Sequence, residues 1–165
     1  MRERPPARVA GAAELADAWR DIAVPMLTYL AAAEWGVPSD PRAAADWLLA
    51  DGRIAFLHRF HDMPVIATLQ RLRAANTGRL AILSPRGADI DEVGMLLDQV
   101  ARLACADLGM RRLEWLVPRR WRRAAEAAEA VGFAEEACLS EAWFVDGRYE
   151  DLLLFGLLPE ERRAP

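Results

Sequence analysis

Residues 80–97, LAILSPRGADIDEVGMLL, run from an apolar strand through a proline into an amphipathic helix. Beyond the proline, Ile90, Val93, Leu97, Val100, Ala101, Ala104 and Leu108 recur at helical spacing and share one face. A strand that feeds a helix N-terminus directly makes a natural anion site, because the first N–H groups lack intrahelical partners and the helix dipole adds partial positive charge. Here Asp89, Asp91 and Glu92 fall in or before the first turn. Such acids stabilise a bare helix end by a few tenths to about 1 kcal/mol each. The same acids repel a phosphate that would use those N–H groups.

The other elements follow from periodicity and punctuation. Residues 7–10 read as a short first strand, and Leu15, Trp19, Ile22, Met26, Leu27 and Leu30 as the apolar face of a helix over 13–35 that Pro25 kinks or splits. Asp40 before Pro41 is an N-cap signature, and Gly52 closes the short helix that follows. Strands are expected over 53–60, 65–73 and 79–84, then a helix over 90–108 stopped by Gly109, and a strand over 112–117. An alanine-rich helix over 119–131 ends at Gly132, and strands over 137–145 and 149–157 flank an Asp146-Gly147 hairpin turn. The expected fold class is α/β (α+β), with about seven strands and four helices in the order β-α-α-β-β-β-α-β-α-β-β. Residues 1–6 are expected as a flexible arm, 7–158 as a single domain and 159–165 as a tail.

A chain of 165 residues with 53% hydrophobic content is long enough for one sizeable core. A net charge of -4 gives no whole-molecule attraction to nucleic acid or an anionic membrane, and neither is an expected partner. Cys105 and Cys138 lack short C-x-x-C spacing, so no disulfide framework or zinc site is indicated, and a reducing, cytoplasmic setting is expected.

That element order, with RVAGAAELADAWRDIA at 8–23, VGF at 131–133 and FVDGRYEDLLLFGLL at 144–158, resembles the GNAT acyltransferase superfamily over nearly the whole chain. The resemblance implies a mixed, mostly antiparallel sheet of about seven strands flanked by four helices, and acetyl-CoA or another acyl-CoA as cofactor, its pyrophosphate held by a basic, glycine-rich loop after the fourth strand. With Pro85 and the Leu96-Leu97 pair in register, the expected arginine falls on Ala88 and the expected glycines on Asp89, Asp91 and Val93. A shift of one or two residues recovers Arg86 and Gly87, or Gly94, but not the whole motif. The tyrosine that often acts as general acid in the family falls on Ala128, with Ala124 and Trp121 at the preceding motif positions. A general acid is typically worth ~10²–10⁴ in rate, so its absence slows acyl transfer without forbidding it.

Candidate cofactor-binding residues are therefore Leu83, through strand-four backbone N–H groups, with Arg86, Gly87, Val93 and Gly94, and the cluster Arg119, Arg120 and Arg123, whose guanidinium groups suit phosphate. The cluster also reads as a solvated helix surface paired with Glu126 and Glu129. Glu114, His61 and Ser84 are the catalytic candidates. Glu114 alternates with Leu113 and Trp115, and is either a buried general base or an arginine-paired carboxylate. Ser84 also reads as a cap on the strand end. His58 and His61, three apart on a strand, point to opposite faces unless the HDMP stretch turns between them, so no metal is expected. Tyr29, on the helix pair that walls the acceptor site in the family, and Asp89 and Asp91, whose charge suits a cation, are the substrate-binding candidates.

The resemblance implies acyl transfer from acyl-CoA to the amine of a small molecule. Two alternatives stand: a protein of the same fold that binds or converts another small molecule in the vacated cleft, and a non-catalytic partner subunit docking through a tryptophan-rich surface, since six tryptophans is high for this length. A homodimer is one assembly the sequence allows.

Overall fold

A computed structural model describes residues 8–22, 40–60, 63–72, 76–83, 89–145 and 147–159. Its strands are β1 (Arg8–Val9), β2 (Ile54–Phe60), β3 (Met63–Arg71), β4 (Thr77–Leu83), β5 (Arg112–Pro118), β6 (Ala134–Val145) and β7 (Arg148–Leu157). Its helices are α1 (Ala12–Ile22), α2 (Pro41–Leu49), α3 (Ile90–Ala106) and α4 (Arg122–Val131). The strands form one sheet in the order β1-β2-β3-β4-β5-β7-β6, antiparallel at every junction except β4 with β5. The expected mixed, mostly antiparallel sheet with flanking helices is the observed architecture.

Local chemistry sets the helix ends. Asp40 caps α2 by accepting the Ala43 N–H at 2.8 Å, with Pro41 in the first turn, where its missing N–H costs nothing. Just past the last residue of α4, Gly132 adopts φ 101°, and its N–H and that of Phe133 turn back to the carbonyls of Glu129 and Ala128. Helix α4 starts at Arg122 rather than at 119, because the Trp121 N–H closes a turn onto the Pro118 carbonyl at 2.8 Å first.

Strand alternation divides the core between the two faces of the sheet. Leu57, Ile66, Ala81 and Leu83 pack against Trp19 and Leu15 of α1 and Leu48 of α2. Phe56, Val65, Leu80, Ile82, Trp115 and Phe155 pack against Leu96, Leu97 and Val100 of α3 and Ala128 of α4. Leu96 and Leu97 have no exposed surface. Truncating either to alanine would cost about 2–5 kcal/mol.

Candidate functional site

The parallel ladder between β4 and β5 runs from Thr77 opposite Arg112 to Leu80 opposite Trp115, and ends there. Both strands continue, β4 to Leu83 and β5 to Pro118. Each keeps its outer partner beyond that point, with Leu83 opposite Ile66 on β3 and Pro118 opposite Leu152 on β7. The two central strands therefore part. Among the described residues, the facing edges of 81–83 and 116–118 have no strand partner, so backbone donors and acceptors line a wedge between them. Its side chains are apolar: Ile82 and Val117 on the α3/α4 side of the sheet, Leu83 on the other.

Helix α3 is the next element after β4 in the chain, and Asp89 caps it. The Asp89 carboxylate accepts the Asp91 N–H at 3.0 Å, and the Val93 N–H is taken by the Asp89 carbonyl at 3.1 Å. Asp89 and Asp91 are exposed, whereas Glu92 of the same turn is buried. Three carboxylates thus gather where a diphosphate would need free N–H groups and positive charge. These described residues do not fit the diphosphate of coenzyme A. Val93 is in the core, and Gly94 faces α4, where an added β-carbon would meet Ala127 at 3.7 Å.

The arginines after β5 bind across strands. Arg119 donates its backbone N–H to the Asp151 carbonyl at 3.0 Å, and its guanidinium lies 3.1 Å from the Asp151 carboxylate. The other carboxylate oxygen of Asp151 accepts the N–H of Glu141 at 3.0 Å, in a bulge where Glu141 has φ 51°. That backbone hydrogen bond, and then Arg119, hold the Asp151 carboxyl below its ordinary range, while Asp151 raises the Arg119 guanidinium. Arg120 reaches Glu150 at 2.5 Å and lies 5.6 Å from the ring centroid of Trp143. The pairing with Glu126 and Glu129 expected for a helix surface is replaced by carboxylates of β7. These contacts escape sequence reasoning for a simple reason. Asp151 stands 32 positions after Arg119, and Glu150 stands 30 positions after Arg120, and only the β5–β7 register brings them together. Arg122 and Arg123 are exposed, and neither carries a hydrogen bond or ion pair among the described residues.

Glu114 lies below the wedge, opposite Arg79 and Gly156, on the paired part of β5. It accepts from Arg79 at 3.3 Å and from Arg112 at 3.2 Å. These contacts are those of the arginine-paired carboxylate. His58 is buried on β2 opposite Val65. Among the described residues no group of His, Cys, Asp and Glu side chains gathers to hold a metal, and no described helix is long and apolar enough to cross a membrane. Tyr29, His61, Ser84, Arg86 and Gly87 lie outside the described residues.

No protein-family model matches the chain, and no curated protein does. Solved structures do. A spermidine N-acetyltransferase SpeG chimera from Vibrio cholerae and hSSAT superposes with a TM-score of 0.77 at 16% identity, covering 96% of this chain and 98% of that one. Mutant forms of the spermidine/spermine N-acetyltransferase SpeG from Vibrio cholerae give 0.72 at 16% identity, with the same coverage. A dodecameric structure of spermidine N-acetyltransferase from Vibrio cholerae gives 0.74 at 15% identity, covering 95% of each chain.

The chain has the GNAT fold.

Within this fold, β4 and β5 part after a four-pair parallel ladder. The cap of α3 is a carboxylate, and the first arginine after β5 is held by Asp151.

Proposed function

We propose that this chain is a GNAT-fold N-acyltransferase that moves an acyl group from a thioester donor to the amine of a small, cationic molecule. The single observation that supports it most is the end of the β4–β5 ladder at Leu80 and Trp115, which leaves unpaired backbone beside an apolar cleft. Fixed backbone dipoles of that kind, aimed at a carbonyl in a dry site, stabilise the charge that develops as an amine attacks. Asp89 and Asp91, exposed at the rim, would attract the acceptor before it loses its proton. The structural neighbours described as spermidine N-acetyltransferases give the acceptor class a direction: a polyamine or a related small amine. Arg123, exposed in the first turn of α4 like its neighbour Arg122, is free to meet a donor phosphate. Arg119 and Arg120 could do so only by leaving Asp151 and Glu150.

Calorimetric titration with acetyl-CoA, followed by acetyl transfer to a panel of polyamines and monoamines, tests this reading. Binding with transfer to at least one amine is the expected result. No heat at millimolar acetyl-CoA, together with no transfer from S-acetylpantetheine, would overturn it.

A second reading is favoured by the Asp89 cap. A cleft whose helix terminus is closed by its own carboxylate could serve a cationic small molecule with no acyl-CoA at all. Binding of such an amine in the absence of any effect of coenzyme A would support it over the first.

A further inference from the structure

A second cleft lies at the other end of the sheet, where β4 and β5 begin and β7 ends. Its volume is about 650 Å³, and its lining includes Asn76, Cys105, Met110, Arg111, Leu158 and Pro159. That volume is in the range of small-molecule pockets. Asn76 and Arg111 immediately precede the first registered pair, Thr77 opposite Arg112, and the Arg111 N–H donates to the Asn76 carbonyl at 2.9 Å. The ladder between the two central strands is closed here. The seven residues of β4, about 20 Å of extended strand, separate this cleft from the open wedge.

The lining divides by chemistry. Met110 is buried, Cys105 and Pro159 are half-buried, and Leu158 is a large apolar side chain left 38% exposed. Arg111 is the only charged residue of the lining, and its exposed side chain carries no hydrogen bond or ion pair among the described residues. The side-chain amide of Asn76 carries none either. The neighbouring cations are committed: Arg112 to Glu136 and Glu114, and Arg71 to the Leu108 carbonyl at 3.0 Å. A spare guanidinium and a spare amide beside an apolar wall match a carboxylate carried on an apolar body. Cys105 brings the last turn of α3 to the cleft, and the negative end of a helix dipole disfavours a doubly charged anion.

We propose that this cleft is a second binding site, apart from the wedge, for a small monocarboxylate with an apolar body. The carboxylate meets Arg111 and Asn76, and the hydrocarbon covers Met110 and Leu158. Asn76 belongs to the first four strands and Arg111 to the last three, so such a ligand spans the seam at the point where its ladder starts. The assignment is independent of the acyl-transfer reading.

The test uses the full chain with ¹³C-methyl methionine, whose five methyl signals are assigned by through-bond correlation. Hexanoate, hexanol, hexylamine and inorganic phosphate are titrated in turn. The expected result is a saturable shift of the Met110 methyl signal with hexanoate, with the other three probes binding there about tenfold more weakly or worse. Arg111→Gln, at an exposed position, should keep its thermal midpoint and bind hexanoate about ten- to a hundredfold more weakly, the worth of a hydrogen bond to a charged group. No saturable movement of the Met110 signal with hexanoate would overturn the proposal. So would hexanol or phosphate binding as tightly as hexanoate, or full affinity in Arg111→Gln.

Discussion

The carboxylate of Glu136, on β6, occupies the space above Gly156 of β7 that a β-carbon there would need. From this position it accepts two N–H groups of Arg112, which also reaches Glu114, itself held by Arg79. A chain of alternating charge thus crosses the sheet from β4 to β6 over a residue with no side chain. Gly156→Ala would push the Glu136 carboxylate aside and loosen the bidentate pair with Arg112. A loss of about 1–2 kcal/mol in urea unfolding is expected, as for a charge-assisted hydrogen bond. In a Glu136→Ala background the same substitution should cost nothing, because the obstructing group is gone.

The same pair sets a pH dependence. Hydrogen bonding to Arg112 holds the Glu136 carboxyl below its ordinary value of 4.5. A carboxyl depressed in the folded state contributes stability that is complete above its unfolded value and fades as pH falls toward the folded one. The stability difference between the unaltered protein and Glu136→Gln should therefore be constant above about pH 5.5 and shrink steadily below about pH 4.5. Denaturation midpoints measured from about pH 7 down to about pH 3 check this, and a difference independent of pH would contradict it.

Asp151 ties three separated segments together: Arg119 after β5, the Glu141 bulge in β6, and its own strand β7. Asp151→Ala releases the Glu141 N–H and frees Arg119. Hydrogen exchange at the Glu141 amide should accelerate by about ten- to a hundredfold, the equivalent of one hydrogen bond to a charged group. Unchanged exchange would mean that the bulge is held by its backbone alone.

Asp89 is expected to trade stability against anion binding. Asp89→Ala removes the cap on α3, at a cost of about 0.5–2 kcal/mol, and returns the Asp91 N–H to solvent. Under the acyl-transfer reading, acetyl-CoA should bind this variant more tightly than the unaltered chain, with transfer retained at saturating amine and a raised KM for the amine. Under the second reading, Asp89→Gly with Asp91→Gly should abolish function. Calorimetry and thermal unfolding of the same preparations distinguish the two.

What the sequence discloses is local. The cap at Asp40, the stop at Gly132 and the start of α3 at Ile90 all follow from residues within a few positions of one another, and all stand where periodicity and capping chemistry place them, whereas the cap that Asp89 makes on α3 adds to the acidic first turn the sequence shows. The start of α4 departs from its alanine-rich pattern, because the turn closed by Trp121 on Pro118 competes with the first helical turn. Strand β6 begins at Ala134 and carries bulges that no pattern announces, since the positive φ of Glu141 is sustained by Asp151 on the next strand. The partners of Arg112, Arg119 and Arg120 are likewise fixed by sheet register. For Glu114, both the buried base and the paired carboxylate are legible in the alternation, and it takes the β4–β5 register to bring Arg79 beside it.

Four registered residue pairs join the first four strands to the last three. One lip of the opening is contributed by the N-terminal half of the chain and the other by the C-terminal half. Neither half encloses a ligand by itself, so a split or circularly rearranged version of this protein would regain its cleft only on reassembly.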